Sequence, residues 1–200
     1  NITLLVGFEN VVGIGLRTDE YRRFEGKSIA EIALALGKDP YDALFDLLSA
    51  EKCEAGMIDY ISDEEDLKAI LRAPFSGVIS DATYPGTGQV HPRVYGAFAR
   101  LIETYVVREK VLTLEQAVHK VTGHAADRFG FEKKGVIAAG MDADLLLFSP
   151  ENIHEQGTYA RPNLPATGFD EVFVLGERVI ENGVYRGGSS GEMLGARMGY

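Results

Sequence analysis

Near residue 134 the chain changes texture, and this break limits its fold more than any other feature. Before it, helix-start signals follow one another. Ser28-Ile29-Ala30-Glu31 is a capping box, in which hydroxyl and carboxylate satisfy each other's backbone donors, and Gly37 supplies the stop. Asp39 with Pro40 is an N-cap followed by proline at the first helical position, opening a helix through residues 41–50. Ser62-Asp63-Glu64-Glu65 is a second capping box and predicts a helix to about Arg72, with its acidic first turn at the positive end of the helix dipole. Further helices are predicted over 95–109, over 113–121 behind the box Thr113-Leu114-Glu115-Gln116, and over 125–129, ending at Gly130. After residue 134, Gly135, Gly140, Gly176, Gly183, Gly187, Gly188 and Gly191 punctuate short apolar runs. Residues 143–148 and 172–175 read as strands, with turns at Gly176-Glu177 and Asn182-Gly183. The pattern predicts an α/β part over 1–133, a small β part over 134–186 and a glycine-rich tail over 187–200.

Three further stretches complete the reading. Residues 2–16 alternate apolar residues with glycines and read as extended; the charged residues 17–27 read as an exposed loop. Gly77-Val78-Ile79-Ser80, set between Pro74 and Asp81, reads as a short buried strand. The chain starts at Asn1 and runs directly into Ile2-Thr3-Leu4-Leu5-Val6, the look of a cut in a longer polypeptide. No basic segment with a cleavage site precedes this run, so no signal peptide is expected.

Composition narrows the function. The formal charge of −10 on 200 residues argues against nucleic-acid binding, which needs a basic face. No apolar run approaches the ~20 residues of a membrane-spanning helix. Cys53 is the single cysteine, so an internal disulfide and a Cys-based zinc finger are both impossible, which fits a reducing compartment such as the cytoplasm.

The informative local arrangement is Ser80-Asp81. A carboxylate directly after a short buried strand sits at the strand's C-terminal end, where barrel and open α/β folds build active sites. It could ligate a metal or exchange protons with a reacting water. An N-cap or Asx-turn role is the structural alternative. Twelve residues on, His91-Pro92-Arg93 brings an arginine, whose planar fork suits a substrate carboxylate; a surface ion pair is the alternative. Gly86 and Gly88 in the intervening loop permit close backbone approach to a ligand. His119 and His124 are five apart rather than four, and His154 lies in a polar loop, so all three read as structural or solvent-exposed.

These residues resemble a family. Ser80-Asp81, with His91-Pro92-Arg93-x-Tyr95-Gly96-x-Phe98-x-Arg100, resembles the C-terminal half of the N-acyl-D-amino-acid deacylases (D-aminoacylases), members of the metal-dependent amidohydrolase superfamily. The likeness extends upstream through Gly26-Lys27-Ser28 and Asp39-Pro40-x-Asp42-Ala43. Downstream it runs through Leu112-Thr113-Leu114-Glu115-Gln116-Ala117 to Gly140-x-x-Ala143-Asp144-Leu145, a signature of the superfamily at large.

The resemblance implies the C-terminal portion of a (β/α)₈, TIM-like barrel plus part of a small β-sandwich. It implies that Ser80-Asp81 ends the last barrel strand. Asp81 would then touch the metal centre and shuttle a proton, and Arg93 would hold the substrate's α-carboxylate. The implied reaction is zinc-dependent hydrolysis of the amide of a small-molecule N-acyl-D-amino acid. Two departures stand out. Ala82 replaces the family's glycine after the aspartate, and the metal histidines, including a His-x-His, are absent and expected upstream of Asn1. These 200 residues alone are therefore expected to hold no zinc, to be inactive and to self-associate. A non-catalytic binding subunit and a cyclic-amide hydrolase of the dihydroorotase or hydantoinase kind are the competing readings.

Overall fold

The computed structural model describes residues 2–82, 90–159 and 161–194. Thr83, Gly86, Gly88 and the tail beyond residue 194 lie outside them. The chain divides into two compact units, one formed by residues 1–64, 83–91 and 158–162, the other by 65–82, 92–157 and 163–200.

In the first unit, residues 2–6 form a short helix, α1 (Ile2–Val6), rather than the extended run expected. Its end is closed by local bonds: the Gly7 amide donates to the Thr3 carbonyl (3.0 Å) and the Asn10 side chain to the Val6 carbonyl (2.7 Å). Leucine's helix propensity suits the turn once its carbonyls are satisfied. The extended reading holds over β1 (Val11–Ile14). Its antiparallel partner β2 (Gly56–Asp59) pairs Val11 with Asp59 and Ile14 with Gly56.

Between these strands lie α2 (Ile29–Leu36) and α3 (Pro40–Ala50). The Ser28–Glu31 capping box forms, Gly37 closes α2 in the left-handed conformation, and Asp39 caps α3 through the Tyr41 amide. Residues 17–27 are not wholly exposed. Tyr21 and Phe24 are buried with Val11, Leu16, Ile29, Ile32 and Leu47, while the arginines beside them stay outside. Aromatic rings carry too much apolar surface to remain in a solvated loop. Two carboxylates hold the loop that precedes them. Glu25 accepts the Gly15 and Leu16 amides at 2.8 Å each, and Glu51 accepts the Arg17 amide, the Thr18 amide and the Thr18 hydroxyl.

The second unit begins one residue into α4 (Glu64–Arg72), a helix that starts one residue later than a Ser62 cap would place it. Next comes α5 (Arg93–Arg100), continued without a break by a π-helical stretch, Leu101–Arg108. The expected helix over 95–109 is therefore present with a wider final segment. α6 (Leu114–Val121) forms behind its Thr113–Gln116 box, and α7 (Gly123–Phe129) ends at a left-handed Gly130. These helices bury Leu71, Leu101, Ile102, Tyr105, Leu112 and Ala117 together with Ile153.

A four-stranded antiparallel sheet follows in the order β3 (Leu145–Phe148), β4 (Phe169–Val174), β5 (Glu177–Glu181), β6 (Val184–Tyr185). Asn182 and Gly183 both have positive φ, as a two-residue type I′ hairpin requires; the preceding hairpin turns at Leu175-Gly176, one residue before the expected pair. Asp144 anchors this sheet: it accepts the Leu175 amide at 2.8 Å and pairs with Lys134. Among the described residues no helix is long and apolar enough to cross a membrane.

Candidate active site

The expected strand over 77–80 is not a strand: it joins no sheet, and Ile79 is 71% exposed. The segment lies instead along the end of α6, where the Val78 amide donates to the Lys120 carbonyl (3.5 Å). A ladder needs a second strand, and both sheets of the described residues are made elsewhere. Asp81 therefore ends an extended run rather than a barrel strand. Its backbone is left-handed, with φ +45°, a conformation that aspartate tolerates better than most residues.

Arg93 opens α5 directly after Pro92 and reaches back to this aspartate. Its Nη2 lies 2.8 Å from Asp81 Oδ2, and its Nε donates to the Asp81 backbone carbonyl at 3.0 Å. The two residues singled out from sequence are thus brought into direct contact. Both remain open to solvent, Asp81 at 69% and Arg93 at 40% side-chain exposure.

The rest of the motif around Arg93 is explained by packing. A Cβ on Gly96 would sit 2.8 Å from the Glu155 side chain, so the glycine lets that carboxyl approach α5. Glu155 also meets Arg100 at 3.4 Å, and burial pushes its pKa up. Its amide donates to Glu103, whose other carboxylate oxygen faces His154 Nδ1 at 3.4 Å. His91 contacts the Tyr159 ring edge-on, with centroids 5.4 Å apart. His119 and His124 stand 6.1 Å apart, centroid to centroid, at the corner between α6 and α7.

None of these arrangements fits a zinc site. Zinc sites typically use three or four protein ligands, and among the described residues no three His, Cys, Asp or Glu side chains converge. The one carboxylate singled out for the metal, Asp81, is turned to Arg93.

Sequence reasoning passed over Lys120. This lysine is only 5% exposed, and its ammonium donates to the Ala73 carbonyl (2.7 Å), the Ser76 carbonyl (2.9 Å) and the Ser76 hydroxyl (2.9 Å). Burial lowers its pKa. The available signal was periodicity: Lys120 lies three residues after buried Ala117, on the core-facing stripe of α6, where a charged residue needs an explanation.

Solved structures define the class. A D-aminoacylase structure superposes with a TM-score of 0.77 and 31% identity, covering 89% of this chain and 36% of that one. An N-acyl-D-glutamate deacylase from Bordetella bronchiseptica, complexed with zinc and a phosphonate mimic of the reaction's tetrahedral intermediate, gives 0.75 and 31%, covering 86% of this chain and 35% of that one. The α/β fold is thus that of part of a TIM-barrel hydrolase. Residues 16–180 match the Amidohydrolase family, and the chain belongs to it.

An N-acyl-D-aspartate deacylase from Alcaligenes xylosoxydans xylosoxydans is 33% identical over 159 residues, 80% of this chain and 31% of its own length. The chain thus spans about a third of the length of the curated relatives it matches. Similarity to the dihydroorotase of Lactobacillus johnsonii reaches only half of this chain.

Proposed function

We propose that these residues form part of a hydrolase that cleaves the amide bond of N-acyl-D-amino acids. Residues 1–133 are assigned to its barrel, 134–186 to its small β-domain and 187–200 to a tail. The observation that carries this reading is the contact between Asp81 and Arg93, which joins a proton-transfer group to a carboxylate-binding group. Arg93 is the binder: its guanidinium presents parallel donors that match an α-carboxylate. Asp81 is the proton carrier, accepting a proton from the attacking water and passing it to the leaving amine. In the free site the two hold each other. An arriving substrate carboxylate competes for Arg93 and leaves Asp81 facing the scissile amide. A cytoplasmic location is part of the same proposal; the single cysteine fits a reducing compartment.

Zinc belongs to the proposed complete enzyme and takes its other ligands from outside this chain. The 200 residues alone are proposed to hold no zinc and to hydrolyse nothing; they are proposed to self-associate because Phe75, Ile79 and Ile137 leave large apolar side chains in water.

The test is N-acetyl-D-amino-acid hydrolysis by the deacylase carrying these residues. Asp81→Asn is expected to lower kcat by about a hundredfold or more. Arg93→Lys is expected chiefly to raise KM. Unchanged kcat in Asp81→Asn would remove Asp81 from the reaction. A monodisperse monomer of these 200 residues, with stoichiometric zinc and turnover, would overturn the partial-enzyme reading.

A further inference from the structure

Lys120 is a buried cation whose hydrogen-bond partners are all neutral oxygens. Its three ammonium donors are spent on Ala73 and Ser76, and among the described residues no carboxylate pairs with it. Its counter-charge is the C-terminal end of α4. Helix C-termini carry about half a negative charge on unsatisfied carbonyls, and a cation there is favourable. Ser76 gathers the same end, because its hydroxyl also lies within hydrogen-bond distance of the Ile70 (2.7 Å) and Ala73 (2.9 Å) carbonyls.

The chain leaving this clamp is the one that carries Asp81, five residues beyond Ser76. It stays in contact with α6 and α7 on the way. The Val78 amide meets the Lys120 carbonyl, and a Cβ on Gly77 would lie 3.0 Å from the His124 ring. Among the described residues no sheet holds this segment; the clamp anchors it together with Val78, which packs against the helical core.

We infer that Lys120 is a positioning residue: by tying residues 73–78 to the end of α6, it sets where Asp81 meets Arg93. This rests on the proposed roles of Asp81 and Arg93 for its relevance to hydrolysis, but not for its geometry. It also accounts for a lysine on the core-facing stripe of α6.

The test uses the complete deacylase that carries these residues, labelled with nitrogen-15. The Arg93 Nε–H signal reports its bond to the Asp81 carbonyl, and amide exchange reports Val78. Lys120→Met is expected to collapse the Arg93 signal into the envelope of solvated arginines and to speed exchange at Val78 about tenfold or more. Ser76→Ala, which removes one acceptor of the clamp, is expected to shift the same signal part of the way and serves if Lys120→Met does not fold. Ile153→Val, a change in the same core cluster, is the control for general loosening and is expected to leave the Arg93 signal in place. An unmoved Arg93 signal in the folded lysine variant, or in Ser76→Ala where that variant does not fold, overturns the inference. An equal shift in Ile153→Val also overturns it, by showing a structural effect only. Failure of the hydrolysis test for Asp81 would not alter these signals, so the two readings fail separately.

Discussion

Replacing Asp81 with asparagine isolates chemistry from stability, and the structure sets how large each effect is. The Asp81–Arg93 ion pair is exposed on both sides. Pairs of that kind contribute about 0–1 kcal/mol, because water and salt screen them and two side chains must be ordered to make them. Asparagine keeps an oxygen that can accept from Arg93, and the Arg93 Nε bond runs to the backbone carbonyl of residue 81, which no side-chain change removes. Asparagine also tolerates the left-handed backbone at φ +45°, so no strain is added. Alanine would add about 1 kcal/mol of strain at the same position. Asp81→Asn is therefore expected to cost under about 1 kcal/mol, or no more than about 4 °C in melting temperature for a chain of this size. Asp81→Ala is expected to cost more. The assay is urea denaturation followed by circular dichroism, with the slope checked for two-state behaviour. A loss above about 2 kcal/mol for the asparagine variant would refute the reasoning. It would mean that Asp81 has a structural role and that lost turnover could not be read as lost proton transfer.

Two further outcomes test the fold itself. Burial pushes the Glu51 pKa up, but the Thr18 hydroxyl and the Arg17 and Thr18 amides outweigh it and hold the carboxyl below its ordinary value of 4.5. A lowered folded-state pKa stabilises fully only above the unfolded value and is lost as pH falls through the folded one. Glu51→Gln is therefore expected to be less stable than the parent at pH 7 and to approach it in acid, as read from urea midpoints across pH; a constant gap would disprove the linkage. Gly168 has φ +94°, and a Cβ there would lie 2.0 Å from the Asn152 carbonyl oxygen. Backbone cannot yield as a side-chain tip can, so Gly168→Ala is expected to cost more than about 3 kcal/mol, measured by the same denaturation.

Local signals determined most of the secondary structure. Ser28 with Glu31, Asp39 with Pro40 and Thr113 with Gln116 each start a helix where the residues say, because capping is a contact between groups two or three residues apart. Asn182-Gly183 turns the last hairpin for the same reason: the turn needs two positive φ angles and little else. Asp81 and Arg93 were legible as chemistry-bearing types in a suggestive order.

Tertiary structure alone decided three things. Val78 and Ile79 look like a buried strand, but a strand exists only where a partner supplies the ladder, and these residues lie against α6 instead. Tyr21 and Phe24 look like part of a charged loop, but their rings fill the core around Ile32 and Leu47, which no window of neighbouring residues reveals. Lys120 looks like a solvated helix lysine, and only the arrival of residues 73–76, more than forty positions earlier, shows that its charge completes the end of another helix. Capping and turn signals act over a few residues and survive in the sequence. Burial and long-range charge pairing depend on which distant groups meet, and only the folded chain specifies them.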